Sequence, residues 1–218
     1  MRIEIKKTDI SEELKYNTSI IIEMLHINDL WKIQVPDIIE TDELVHRLSA
    51  ADHLVDRYIE IVSDVLKSYH YKYAWKSVKK RFVCSPTTQI NKSVILPSTV
   101  EISDDFSKYG IERKGWSSDH YHYRGFGTVV NGELLSWCIE NTHYMDEGST
   151  EIGVETDANS RKNGYAVSNV VALCDSLQKN GVSTIHYECA LNNIASFRTA
   201  QKANLEYIGE VFYLGFEN

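Results

Sequence analysis

Residues 151–181 read EIGVETDANSRKNGYAVSNVVALCDSLQKNG, and their patterning decides the architecture. From Glu151 to Glu155, Ile152 and Val154 alternate with Glu151, Gly153 and Glu155, the period of a half-buried strand. From Gly164 to Asn180 the period changes. Val167, Val170, Val171, Cys174 and Leu177 form one helical stripe, and Gly181 stands where a glycine closes a helix C-terminus. A strand therefore feeds a helix through the polar turn Asp157 to Asn163.

Downstream, Val182 to Cys189 reads as a strand, Ile194 to Ala203 as a short helix and Tyr207 to Phe216 as alternating strand. Upstream, Asn131-Gly132 is a two-residue hairpin signal between strands Tyr121 to Val130 and Glu133 to Glu140. The resulting order, β-β-β-α-β-α-β, predicts an α/β fold of the mixed α+β kind, a central mixed twisted sheet flanked by helices. The amino-terminal part is expected to be mostly helical. Met1 to Lys7 alternates as a strand, and Asp9 or Ser11 then caps a helix carrying Leu14, Ile21, Ile22, Met24 and Leu25. After a break at Pro36, Thr41 or Asp42 starts a longer helix carrying Leu44, Leu48, Leu54, Tyr58, Val62 and Leu66. That helix is expected to end in the aromatic, basic run Tyr69 to Arg81. Cys84 to Ser118 is weakly patterned loop with one or two short strands, so the division falls between a helical part, residues 1–118, and a ligand-binding domain, residues 119–218.

The 218 residues are 43% hydrophobic and 25% charged, with 3 prolines and 11 glycines. This composition describes a soluble globular chain and excludes fibrous, disordered and channel-forming classes. The net charge of −8 disfavours nucleic acid and anionic lipid and favours cationic partners. No export signal is read at Met1 to Lys7, no apolar run approaches the ~18 residues of a membrane span, and a cytoplasmic location is expected. Cys84, Cys138, Cys174 and Cys189 show no CxxC spacing and read as reduced, mostly buried thiols.

Two segments resemble glycine-rich phosphate loops. Arg124-Gly125-Phe126-Gly127 runs straight into the strand before Asn131-Gly132 and offers no helix start, so its glycines read as a bulge or close backbone approach. Arg161-Lys162-Asn163-Gly164-Tyr165-Ala166 follows a strand and opens a helix. Unpaired N–H groups and a partial positive charge at a helix start bind phosphate oxygens. Gly164 and Ala166 leave the backbone open, and Arg161 and Lys162 add charge. The alternative is a solvated basic loop before an ordinary helix; the strand-to-helix placement decides for phosphate.

With these residues in place, Glu151 to Phe216 resembles the GNAT superfamily of N-acetyltransferases, whose (Q/R)xxGx(G/A) turn holds the pyrophosphate of acetyl-CoA. Asn193-Ile194-Ala195-Ser196 followed by Ala200, Lys202, Asn204 and Leu205 resembles the family's downstream stretch at the same offsets. Within the superfamily the chain is most similar to the subfamily of the zwittermicin A resistance acetyltransferase. It shares the run from Glu151-Ile152 through Thr156 to Arg161, and Tyr187-Glu188-Cys189 before the asparagine. The resemblance covers residues 121–216. It departs at Ala200, where many members carry a tyrosine as general acid, and at Asn204-Leu205, where a glycine and an aromatic are usual.

The resemblance implies acetyl-CoA as co-substrate and direct attack by the primary amine of a small molecule on the thioester; the acidic net charge suits a cationic one, and no metal is expected. It implies a cofactor site made by Ile152, Gly153, Val154, Thr156, Arg161, Lys162, Asn163, Gly164, Tyr165, Ala166, Asn193 and Ser196. The thioester carbonyl would be polarised by backbone N–H groups beside a splayed strand. Glu151 is the expected base, with a solvated strand carboxylate as the alternative, and Glu140 and Glu188 are in reserve. Ser196 and Tyr213 are candidate donors to the leaving thiolate, although Tyr213 also suits packing in the sheet.

Other constellations read plainly. His120 and His122 share a strand face but lack an evident third metal ligand. No GxSxG string supports a hydrolase triad, and a cysteine nucleophile has no support. Tyr71, Tyr73 and Trp75 among Lys72, Lys76, Lys79 and Lys80 could stack on single strands, but the acidic charge favours a helix end whose lysines answer the dipole. A non-catalytic acyl-CoA-binding regulator on the same fold is the alternative to an enzyme. Oligomeric state stays open, a homodimer included.

Overall fold

The computed structural model describes residues 2–8, 19–52, 54–102, 124–141 and 148–217. They form ten strands and four α-helices in the order β1 (Arg2–Thr8), β2 (Ser19–Ile27), β3 (Leu30–Pro36), α1 (Thr41–Ser49), α2 (Val55–Ser68), β4 (Lys72–Cys84), β5 (Thr99–Glu101), β6 (Gly125–Val130), β7 (Glu133–Asn141), β8 (Ser149–Thr156), α3 (Tyr165–Lys179), β9 (Thr184–Ala190), α4 (Ile194–Lys202) and β10 (Glu206–Glu217). The chain divides into two compact units, residues 1–80 with 209–218, and residues 81–208, with the division falling inside β4 and β10.

In the first unit the strand order is β1-β3-β2-β10-β4. β1 is parallel to β3, and β2 is antiparallel to both β3 and β10. The core is apolar. Trp31 stacks on His26 with ring centroids 4.5 Å apart and packs against Tyr58 and Phe212 at 5.1 and 5.7 Å. Ile22, Met24, Ile33, Leu44, Leu48, Val62 and Leu214 surround it.

This corrects the expectation of a mostly helical amino-terminal part, which begins with strands. Residues 19–27, expected within a helix, form β2; residues 9–18 lie outside the described residues. Ile20, Ile22 and Met24 are buried while Ile21 is 56% exposed, so period two prevails, as β-branched side chains favour. Asn28, at φ 50°, makes the turn into β3. The single long helix is also two. From Leu48 to Tyr58 an ideal helix turns about 1000°, leaving the two side chains ~80° out of line. Interrupting the helix between Ala50 and the extended Leu54 restores the phase, and both residues reach one core. The helix end expected over Tyr69 to Arg81 is mostly strand. The Tyr71 amide donates back to the Leu66 carbonyl at 3.1 Å, His70 takes a left-handed φ of 69°, and β4 starts at Lys72.

In the second unit the end of β4 leads the order β4-β9-β8-β7-β6-β5. β5 to β8 pair antiparallel and β8 pairs parallel to β9, the mixed sheet that the alternation predicts. Asn131 and Gly132, at φ 53° and 82°, make the expected hairpin turn. A Cβ on Gly127 would fall 2.4 Å from the Leu134 side chain, and the β6–β7 register shifts between Thr128 and Val129. Gly127 therefore serves close strand packing rather than a phosphate turn. The α3 stripe Val167, Val170, Val171, Cys174 and Leu177 packs on Cys138, Ile152 and Tyr187, and Gly181 follows α3 at φ 82°. All four cysteines are buried, and none forms a disulfide among the described residues. No helix among the described residues is long and apolar enough to cross a membrane.

Candidate active site

The site lies within the second unit, where β8 parts from β9. β8 and β9 pair from Ser149↔Thr184 to Ile152↔Tyr187 and no further, while β8 stays paired with β7 up to Ser136↔Thr156. The strands thus part between Gly153–Thr156 and Glu188–Ala190. Such an opening frees backbone groups on both strands for a ligand.

The chain then turns into α3. A single 3-10 turn spans Ala158–Ser160, and the Asn163 side-chain amide donates to the Ser160 carbonyl at 3.1 Å. Lys162 and Gly164 both take positive φ, 69° and 83°. Gly164 precedes the first residue of α3 without a side-chain cap, and nothing lies within 4 Å of where its Cβ would be. The first-turn N–H groups are therefore available to an anion in the groove that Gly164, Tyr165, Ala166 and Val167 line.

That groove encloses about 760 Å³ between the end of β8, the turn and α4. Of the residues read as cofactor-binding, Val154, Thr156, Arg161, Lys162, Gly164, Tyr165, Ala166, Asn193 and Ser196 line it. Ile152, Gly153 and Asn163 do not. Ile152 is buried under α3, Gly153 stands at the start of the opening, and Asn163 braces the turn. Glu151 is half-buried on the sheet face opposite Ile152, in register with Asn141 and His186, and is not a lining residue. Arg124 binds Glu140 through two nitrogens at 3.0 and 3.2 Å, and Arg81 binds Glu188 at 2.7 and 2.6 Å. Tyr213 belongs to the first unit, where the Lys79 ammonium lies 5.0 Å over its ring. His120 and His122 lie outside the described residues, and no metal-binding cluster occurs among those described. Burial pushes the Cys138 thiol up, so it stays protonated and unreactive.

Two features escape the sequence reading. Arg198 and Lys202, one turn apart on α4, also line the groove, bringing its cations to four with Arg161 and Lys162. Among the described residues none of the four forms an ion pair, which leaves a local positive field in a chain of net charge −8. Lys202 entered the sequence reading only as part of the stretch resembling the family's, and Arg198 carried no signal beyond its i,i+4 spacing from it. The second feature is a buried polar network behind the turn. Asn169 accepts from Thr128 Oγ1 at 2.9 Å and donates to Ser136 Oγ at 3.1 Å. Ser136 Oγ bonds the Glu155 carbonyl at 2.8 Å and Thr156 Oγ1 at 2.7 Å. Ser168 Oγ accepts from the Leu96 amide at 2.8 Å. Its trace in the sequence is Ser168-Asn169 inside an apolar helix face.

On the α4 side, Asn193 Oδ1 caps the helix by accepting from the Ser196 amide at 3.0 Å. Tyr187 OH lies 2.6 Å from Ser196 Oγ, and burial holds the Tyr187 phenol well above its ordinary ionisation. Ala200 is fully buried in the core.

No protein-family model matches the chain, and no curated protein matches it. Solved structures do. A putative GNAT-family acetyltransferase from Novosphingobium aromaticivorans aligns at TM-score 0.55 and 13% identity, covering 68% of this chain and 67% of that one. A GCN5-related N-acetyltransferase-like protein from Streptococcus suis aligns at 0.50 and 11% identity, covering 94% and 90%. A tandem GNAT protein from the clavulanic acid biosynthesis pathway aligns at 0.50 and 7% identity, covering 72% of this chain but only 58% of that one. The chain has a GNAT-like fold.

Proposed function

We propose that this protein is an acetyl-CoA-dependent N-acetyltransferase acting on the primary amine of a small, cationic molecule. The observation that carries the reading is the joining of three things in one groove: parted parallel strands, a helix start preceded by the left-handed Gly164, and four cations that form no ion pair among the described residues. A helix N-terminus flanked by arginine and lysine suits a pyrophosphate. The parted strands offer an extended arm backbone hydrogen bonds, and Asn193, whose Oδ1 is used by the α4 cap, keeps its amide N–H groups for that arm.

Acyl transfer needs a neutral amine, a polarised carbonyl and stabilisation of the leaving thiolate. Backbone N–H groups at the opening serve the carbonyl. Glu151 is assigned as the base, acting directly or through water, and Ser196 as the donor to the thiolate. The finer placement beside the zwittermicin A resistance acetyltransferase rests on the run Glu151 to Arg161 and on Tyr187-Glu188-Cys189. Presenting the protein and acetyl-CoA with a panel of small amines, while following free CoA thiol, tests the function. Thiol release with at least one cationic amine, falling at least ~100-fold in Glu151→Gln, is expected. Ala200 motivates a second reading, an acyl-CoA-binding regulator; tight acetyl-CoA binding with no thiol release for any amine would favour it.

A further inference from the structure

We propose that Tyr187 is a positioning residue that gives its phenolic hydrogen to Ser196 Oγ and so directs the Ser196 hydroxyl hydrogen into the groove, toward the sulfur of the leaving thiolate. The assignment rests on the acetyltransferase reading. Tyr187 is the last residue of β9 paired with β8, so the strands part immediately beyond it. Its ring is buried and fixed by an edge contact with Phe82, centroids 6.3 Å apart. Its hydroxyl meets Ser196 Oγ at 2.6 Å and the Ser196 carbonyl only at 3.4 Å. Phenol is the stronger acid of the two hydroxyls and the better donor, so the short bond runs from Tyr187 to Ser196. Burial keeps that phenol protonated, which makes it a permanent donor.

With its amide tied to Asn193 and its Oγ accepting from Tyr187, Ser196 has one free hydrogen and one open direction, the groove. The two threonines that line the groove are committed. Thr199 donates to the Ala195 carbonyl at 3.1 Å, and Thr156 shares its hydroxyl with Ser136 at 2.7 Å. As the amine nitrogen bonds the carbonyl carbon, the C–S bond breaks and its electron pair moves to sulfur. Ser196 donates a hydrogen bond to that charge and keeps its own proton. The amine's proton goes to the base, and the thiolate is protonated by solvent after release. Tyr187 loses nothing in the cycle.

The test compares coenzyme A with desulfo-coenzyme A, which lacks the sulfur, binding to the full-length protein between pH 7 and 9.5. In the wild type, coenzyme A should gain about tenfold over the desulfo analogue as its thiol ionises, because a hydrogen bond to a charged acceptor is worth about that much. Tyr187→Phe and Ser196→Ala should each lose this gain, Tyr187→Phe should bind the desulfo analogue unchanged, and the double variant should match Ser196→Ala. With a responsive amine, Tyr187→Phe should lower kcat about tenfold at constant KM for acetyl-CoA. A full gain retained in Tyr187→Phe would overturn the assignment, as would loss of desulfo-coenzyme A binding in that variant, which marks a structural role. Wild type that binds both ligands without any pH-dependent gain removes the donor role of Ser196 and leaves the acetyltransferase reading standing. Wild type that binds neither overturns that reading as well.

Discussion

The two units build their cores differently. Residues 1–80 with 209–218 enclose an aromatic and aliphatic centre around Trp31, Tyr58 and Phe212, and no polar or charged residue is buried there among the described residues. Among the described residues, all eight buried polar or charged ones fall in residues 81–208: Arg81, Thr128, Ser136, Glu140, Thr150, Ser168, Asn169 and Thr199. Burying a polar group costs free energy unless it is hydrogen-bonded. The second unit takes on that cost beside the groove, where Asn169 and Ser136 hold the end of β8 and the start of the turn in place. The comparison separates a unit built for stability from one whose core is also built for position.

Mutations can break this distinction. The largest stability effect should come from Trp31→Ala in the apolar core, costing about 3–5 kcal/mol. Chemical denaturation should report it, and acetyl-CoA affinity of the folded fraction should stay within about twofold. Asn169→Ala leaves Thr128 and Ser136 without their buried partner and should cost less, about 1–3 kcal/mol. Here the binding effect should dominate, with acetyl-CoA affinity falling about tenfold as the end of β8 loses its brace. Equal behaviour of the two variants in binding would erase the contrast. Lys202→Ala should change stability by less than about 0.5 kcal/mol, as exposed substitutions do. It should weaken acetyl-CoA binding only a few-fold and flatten its salt dependence, because one screened charge is removed. Titrations at two ionic strengths would check this.

The second unit was largely legible in the sequence because its signals are local and unambiguous. Asn131-Gly132 demands positive φ at both positions, the α3 stripe has no competing period, and Gly164 and Gly181 stand where left-handed backbone is needed. The first unit was misread because its signals conflict. Ile20-Ile21-Ile22-Glu23-Met24-Leu25 carries apolar residues at both helical and strand spacings, and pairing with β3 and β10 settles the choice. Tyr69 to Arg81 has no stop signal stronger than His70, a residue that adopts left-handed backbone far less readily than glycine. At the site, the turn was legible as a motif, while the Asn169 network and the Tyr187–Ser196 contact join residues distant in sequence and required the fold. Lys202 was legible only as part of a family-like stretch and Arg198 not at all; their place in the groove required α4 to be positioned against it.

The central claim is that the turn before α3 binds the pyrophosphate of acetyl-CoA, and calorimetry on the wild type and Gly164→Asp tests it most directly. Aspartate there forces a side chain onto φ 83° and sets a negative charge against the ligand. The account predicts one saturable site in the wild type and at least ~100-fold weaker binding in a folded Gly164→Asp protein. Wild-type affinity in that variant, or no heat from the wild type at all, would contradict it.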